Sequence, residues 1–319
     1  LNVKKFKPVH WLYNLIHYRS LRHNKEAFRK FKVHKPLIGS ISSRDFPDRD
    51  SKAWLDTGNS RDLAPARIQF SHFAPQIQDK ILNWSENGYM ILENFLDGSA
   101  CDAVNEEIDI LMRKKKIGFT NGKKLMDVYR KSRLIHSIAR NQNLLDLLQF
   151  ILDREVVLFQ TINFLNGSEQ RAHSDSIHMT TYPLGFLIAG WIALEDISKE
   201  NGPLFYYPGS HKLPYLLNSG YNEGETFITL GKKEYKDYED VLEELVHTRG
   251  CVRKEFYAGK GDLLIWHANL VHGGAPIRNK TLTRKSMVMH YFAKDVIKYH
   301  EITERPSLLT ASSFISSQK

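Results

Sequence analysis

At Val156 the chain changes its periodicity, and that change limits the possible folds more than any other feature. Ahead of it apolar residues recur at helical spacing. A helix is predicted from Pro75 through Ile77, Ile81 and Leu82, and a second from the N-cap Asp97 through Val104, Ile108, Ile110 and Leu111 to a basic end at 114–116. A third covers 143–152. Beyond Val156 the pattern is that of strands, at 156–164, 186–194, 204–207, 252–256, 262–266 and 286–292. Ahead of the switch only 88–95 reads as a turn and strand. Helices first and strands after predict an α+β, mostly β, domain with an antiparallel core and flanking N-terminal helices. Residues 213–250 break the strand run with Asn, Gly and Lys and then an acidic helical stretch. They read as an insertion, with a lid as one role for it.

Charge divides the chain in a different place. The net charge is +9, yet residues 1–36 alone hold ten Lys or Arg against one acid, Glu26, so the rest of the chain sums to zero. A basic character confined to one arm removes support for nucleic-acid binding by the whole protein, and no nucleic acid is expected. Within the arm Trp11, Leu15 and Tyr18 follow the i, i+4, i+7 spacing of one helical face. Three readings stand open: a helix packing its aromatic face on the domain, a peripheral helix on an anionic membrane surface, or contact of the arm with an acidic partner or nucleic acid. Residues 39–66 show no periodicity and read as a wandering loop or linker. The expected division is therefore a basic aromatic arm and linker at 1–66 and a globular domain at 67–319. No apolar run is long enough to span a bilayer, and the N-terminus lacks the order of a cleavable leader. The chain begins at Leu1 rather than Met, which leaves an upstream segment open. Two cysteines, Cys101 and Cys251, exclude a disulfide framework and fit a reducing, cytoplasmic compartment, at the inner membrane face if the arm touches lipid.

Chemistry concentrates in Arg171-Ala-His173-Ser-Asp175. On a strand, residues two apart share a face, so His173 and Asp175 would aim an imidazole and a carboxylate at one point. These are two members of the 2-His-1-carboxylate set that holds non-heme Fe(II) with open positions. A second histidine must come from a distant strand, and the candidates are His267 and His272. His272 is preferred because Gly273-Gly274 lets the backbone approach a crowded centre, and His267 beside Trp266 then reads as a core imidazole. Farther on, Arg284 and Ser286 also stand two apart, a guanidinium fork and a hydroxyl suited to a buried carboxylate.

With these residues in hand the chain resembles the phytanoyl-CoA dioxygenase family. The resemblance is carried by Gly-Tyr-x-x-Leu-Glu-Asn-Phe at 88–95, His173-x-Asp175, Trp191 within 189–196, Asn201-Gly202-Pro203, Pro208-Gly209-Ser210-His211-Lys212, and Gly261-Asp262 through His272-Gly273 to Arg284. It covers 75–295 apart from the insertion. It implies a double-stranded β-helix, a cupin-like jelly roll, and dependence on Fe(II), 2-oxoglutarate and O2. It implies iron on His173, Asp175 and His272, and a salt bridge from Arg284 to the far carboxylate of 2-oxoglutarate. Asn163 and Trp191 match positions that often touch the cosubstrate, while Ser286 rests on its spacing from Arg284 alone. The implied reaction hydroxylates an unactivated C–H and releases succinate and CO2. An acid at position 175 argues for hydroxylation over halogenation, which needs a small residue there.

Candidates to face the substrate are His178, Tyr182, Tyr206, Tyr207 and His211, aromatic residues whose alternative is ordinary packing. A polar mouth of this kind suits a hydroxylated or phosphorylated small molecule, or a lipid- or saccharide-linked group. Two rival readings are a cupin-type metalloenzyme such as an isomerase, working without 2-oxoglutarate, and a non-catalytic binding module.

Overall fold

Alternation along the long strands builds a sheet with two unlike faces. The structure, a computed structural model, describes residues 5–46, 52–120, 122–222 and 224–309. Seven strands form the larger antiparallel sheet: β1 (Tyr89–Leu92), β2 (Phe119–Thr120), β3 (Lys124–Met126), β4 (Val156–Phe164), β6 (Leu187–Ala193), β9 (Leu263–His267) and β11 (Ser286–Ala293). Their order across the sheet is β1-β9-β6-β11-β4-β3-β2. A three-stranded sheet faces it, with β7 (Leu204–Tyr206) between β8 (Lys254–Phe256) and β10 (His272–Gly274). A third sheet joins β5 (Thr180–Tyr182), β12 (Ile297–His300) and β13 (Arg305–Pro306). The fold is α+β, mostly β, a double-stranded β-helix with helices outside the larger sheet.

Period-2 geometry explains the two faces. On β6, Ile188 and Ile192 join the cluster under the helices, while Ala189, Trp191 and Ala193 join the cluster between the sheets. On β11 the same split puts Met287, Met289 and Tyr291 outside and Val288 inside. The outer cluster is completed by Val104 and Ile108 of the helix Gly98–Arg113 and by Leu144, Leu147 and Leu148 of Gln142–Leu152. Asp97 caps the first of these through the Ala100 N–H, as the sequence suggests, and Asn141 caps the second. Strands β5 and β12 escaped the sequence reading because each is short and lies outside the main sheet.

Three expectations need correction. Residues 52–66 are no linker: Leu55 and Ala64 are fully buried in the outer cluster, and Trp54 donates its indole N–H to the Phe150 carbonyl. Residues 47–51 lie outside the described residues. The arm folds onto the domain, where Phe28, Ile41 and Phe46 pack on Tyr182, Ile297 and Tyr299. Yet its helix Lys7–Ile16 does not turn the expected aromatic face inward. Lys7, His10 and Asn14 are buried, whereas Leu15 and Tyr18 are exposed. The cause is polar anchoring, since Lys7 pairs with Glu304 at 2.8 Å and Asn14 donates to the Ile38 carbonyl. The insertion, finally, braces the core more than it covers it: Tyr238, Leu242 and Val246 of the helix Tyr235–Thr248 pack on Ala172, Phe205 and Val271.

Candidate metal centre

His173 reaches the centre from the loop between β4 and β5, and His272 from the first position of β10. The two form an isolated antiparallel bridge, each N–H donating to the other's carbonyl at 2.9 Å. Asp175 does not continue a strand, as the spacing suggests; it opens a 3-10 turn, Asp175–Ile177. The turn still delivers its carboxylate, and one ligand atom from each of His173, Asp175 and His272 lies within 4.8 Å of the others. All three residues are buried.

Each histidine spends one ring nitrogen on the backbone. The Nδ1 atom of His173 lies 2.9 Å from the Arg171 carbonyl and that of His272 lies 3.0 Å from the Leu270 carbonyl. A proton on Nδ1 satisfies the carbonyl and leaves the Nε2 lone pair for a metal. Burial, and then the neighbouring His272, push the His173 imidazole down to about 3, so it is neutral, as a ligand must be. Burial works to raise the Asp175 carboxyl, but His272, His290 and His173 outweigh it and hold it well below the usual carboxylate range. Its Oδ2 accepts the Trp266 indole N–H at 2.8 Å and lies 3.6 Å from His290 Nε2.

The loop carrying these ligands is fixed from outside. Ser174, between His173 and Asp175, donates its N–H to the Tyr238 hydroxyl at 3.1 Å. Arg171 meets Asp240 and Glu243 of the same helix at 2.7 and 2.6 Å, an exposed cluster worth little by itself.

Beside the three groups, Arg284, just ahead of β11, and Ser286, its first residue, present two unsatisfied atoms. Arg284 is 2% exposed, and among the described residues no carboxylate pairs with it. Its Nε has no partner, and the guanidinium carbon stands 5.5 Å from the Trp191 ring and 5.8 Å from the Phe164 ring. Burial pushes the group down to about 10. Ser286 Oγ is likewise buried and unpartnered. Ser286 pairs in register with Phe164 and Ala193 of the inner cluster, which puts it on the side of Val288 and His290. Buried polar groups are nearly always satisfied, and a buried cation without a counter-charge is costly. An orphaned guanidinium and hydroxyl next to a buried His–Asp–His donor set fit a metal ion together with a carboxylate-bearing ligand.

A cavity of about 430 Å³ holds the three groups, with Arg284, Trp191, His178 and His290 also on its wall. A larger groove, about 890 Å³, runs between Trp54, Phe95 and Phe150 on the helix side and shares no residue with it. Of the other expected residues, His178 is in place, with its ring 6.3 Å from His173 and 4.8 Å from Tyr235. Asn163 is not. It pairs in register with Leu125 and Met287 of the outer cluster, so it faces the helices and not the cavity. Tyr182 stacks on Phe46 at 4.0 Å, Tyr207 packs on Phe205 under the insertion, and Tyr206 lies against Tyr89; none lines the cavity. His211 and His267 line a separate cavity of about 410 Å³, where His267 pairs with Asp56 at 2.9 Å. Sequence reasoning passed over Trp266, His290, Lys124 and His300. Alternation from Ser286 would have found His290, two steps along the same face.

Comparison with known proteins bears on this arrangement. Residues 84–286 match the family model described as phytanoyl-CoA dioxygenase (PhyH). The peroxisomal phytanoyl-CoA dioxygenase of Mus musculus is 22% identical over 269 residues, covering 73% of this chain and 75% of that one. The ectoine dioxygenase of Sphingopyxis alaskensis is 30% identical over 159 residues, covering 47% and 51%. Among solved structures, the non-heme α-ketoglutarate-dependent carbocyclase SnoK of nogalamycin biosynthesis superposes with a TM-score of 0.58 at 15% identity, covering 77% of this chain and 93% of that one. The apo form of EctD from S. alaskensis does so at 0.54 and 20%, covering 75% and 84%. These likenesses between structures concern the fold.

Proposed function

The chain belongs to the phytanoyl-CoA dioxygenase family and is an Fe(II)- and 2-oxoglutarate-dependent dioxygenase, and from that premise we propose that it hydroxylates an unactivated C–H of a polar small molecule or of a lipid- or saccharide-linked group. The observation that carries the reading is Arg284, a buried cation with no ion-pair partner among the described residues, beside a buried His-Asp-His set. In this reading His173, Asp175 and His272 hold the iron, and Arg284 with Ser286 receives the far carboxylate of 2-oxoglutarate. Bound iron with its cosubstrate supplies the O2 chemistry that attacks the C–H bond.

The chain's own residues position and protect. Trp266 and His290 hold the Asp175 carboxylate in one orientation. Trp191 and Phe164 flank the guanidinium and keep water from it. His178 and His300 are pushed by burial to about 3 and about 4, so they meet a substrate as neutral hydrogen-bonding groups. With Gln160 and Lys124 on the same wall, they favour a substrate rich in oxygen. An isomerase working without a cosubstrate leaves Arg284 unexplained, and so does a non-catalytic module. A screen of hydroxylated and phosphorylated compounds for stimulated succinate release under 18O2 tests the proposal. Label in the product supports hydroxylation; stimulated release with no label incorporated replaces it with another oxidation.

A further inference from the structure

The helix Lys7–Ile16 sits on the domain with its polar side inward. Lys7, His10 and Asn14 are buried, and Val9, Leu12, Tyr13 and Ile16, at i, i+3, i+4 and i+7, form a continuous apolar stripe facing solvent. Leu12 is 62% exposed and Ile16 72%. Phe227, 81% exposed, lies against Trp11 of the same helix, with ring centroids 5.4 Å apart. Scattered exposed apolar residues need no account, but an ordered stripe of them does. The segment is held in this attitude by the Lys7 ion pair with Glu304 and by the Lys7 N–H bonding to the Ile228 carbonyl.

We propose that this stripe is a docking surface for an anionic lipid bilayer, lying in the headgroup layer without crossing it. Charge selects this occupant. Arg19, Arg22, Lys25, Arg29, Lys30 and Lys32 follow in the next stretch of chain, at 19–32, all exposed, and among the described residues none has an ion-pair partner. The Arg305 guanidinium lies 4.5 Å over the Tyr13 ring, within the apolar surface itself. Aromatic and aliphatic side chains bordered by free cations match the interfacial region of a negatively charged membrane. A second copy docking through a two-fold axis would bring the same cations onto one another. A nucleic acid would meet the cations and leave the stripe in water. No described helix is long and apolar enough to cross a membrane, which fits a surface contact.

Co-sedimentation of the full chain with vesicles tests the proposal, and it is read without turnover, so failure of the catalytic reading leaves it intact. The protein should pellet with phosphatidylcholine–phosphatidylserine vesicles and not with phosphatidylcholine alone, and added salt should release it. Leu12→Asp with Ile16→Asp should lower partitioning about tenfold or more, with circular dichroism and soluble 2-oxoglutarate turnover unchanged. Arg19→Glu with Arg22→Glu and Lys25→Glu should weaken it comparably while leaving the stripe intact. Three results overturn it: wild-type protein that stays in the supernatant with both vesicles, a double Asp variant that partitions like wild type, or a wild-type dimer that the double Asp variant splits.

Discussion

His173 and His272 face each other as one antiparallel pair, each backbone N–H donating to the other's carbonyl at 2.9 Å. The main chain therefore fixes their separation before either imidazole takes part. His173→Ala and His272→Ala should leave this pairing and the fold in place. Each is expected to lose iron on gel filtration and to lower succinate release at least about a hundredfold. Stoichiometric iron with full turnover in either variant would remove that residue from the centre.

Arg284 offers a sharper test because its two roles have opposite signs. A buried guanidinium without a counter-charge costs stability, and a well-packed apolar group of similar length removes that cost. Arg284→Met should therefore melt at or above the wild-type temperature in the absence of 2-oxoglutarate. Wild-type protein should gain about 2.7 kcal/mol at a cosubstrate concentration of about 100 times Kd, and the variant should gain almost nothing. Its KM for 2-oxoglutarate should rise about a hundredfold or more, the loss of a charge-assisted bidentate contact. A variant stabilised by cosubstrate like wild type would show that the carboxylate binds elsewhere.

The sequence made some of this visible and hid the rest for identifiable reasons. His173, Asp175 and His272 stand out because few side chains bind metal and their order is distinctive, although their spacing alone predicts strand where the chain turns at Asp175. Asn163 went astray because β4 is covered on both faces, so alternation along it does not say which face is inner; only pairing with Leu125 and Met287 decides. Tyr182 is near the motif in sequence yet packs on Phe46 of the arm, and His211 lines a separate cavity with His267. The inward side of the first helix could not be read locally at all, since the partners of Lys7 are Glu225 and Glu304, more than two hundred residues away.

Two residues outside the ligand set should tune the metal. Trp266→Phe removes the indole N–H from Asp175 Oδ2 while keeping an aromatic ring in the inner cluster. Iron affinity is expected to fall about 10–100-fold. Tyr238→Phe leaves the Ser174 N–H without its partner but keeps the ring packed, and should cost about 1–3 kcal/mol of stability with a smaller loss of iron affinity. Iron titration followed by a competing chelator measures both. Unchanged affinity in Trp266→Phe would mean that Asp175 is oriented by His290 alone.

Acid should destabilise the apo protein well above the carboxylate range. Burial first, then Lys298, pushes His23 down to about 3; burial and then His267 push His211 to about 3; burial and then Arg305 push His300 to about 4. The ordinary value is 6.5, so between about 6.5 and 4 the unfolded chain takes up protons that the folded chain refuses. Stability is then whole above 6.5 and falls as pH drops through that window. A loss of a few kcal/mol between about pH 7.5 and 5 follows, reduced from the full linkage value by partial exposure of His23 and His300. Urea midpoints across this range measure it, and because burial lowers His173 and His178 in the same way, His23→Gln should flatten the slope by about a fifth if the five contribute alike. A flat profile in the wild-type protein would show that protons reach these imidazoles without unfolding, and that the cavities around them open readily to water.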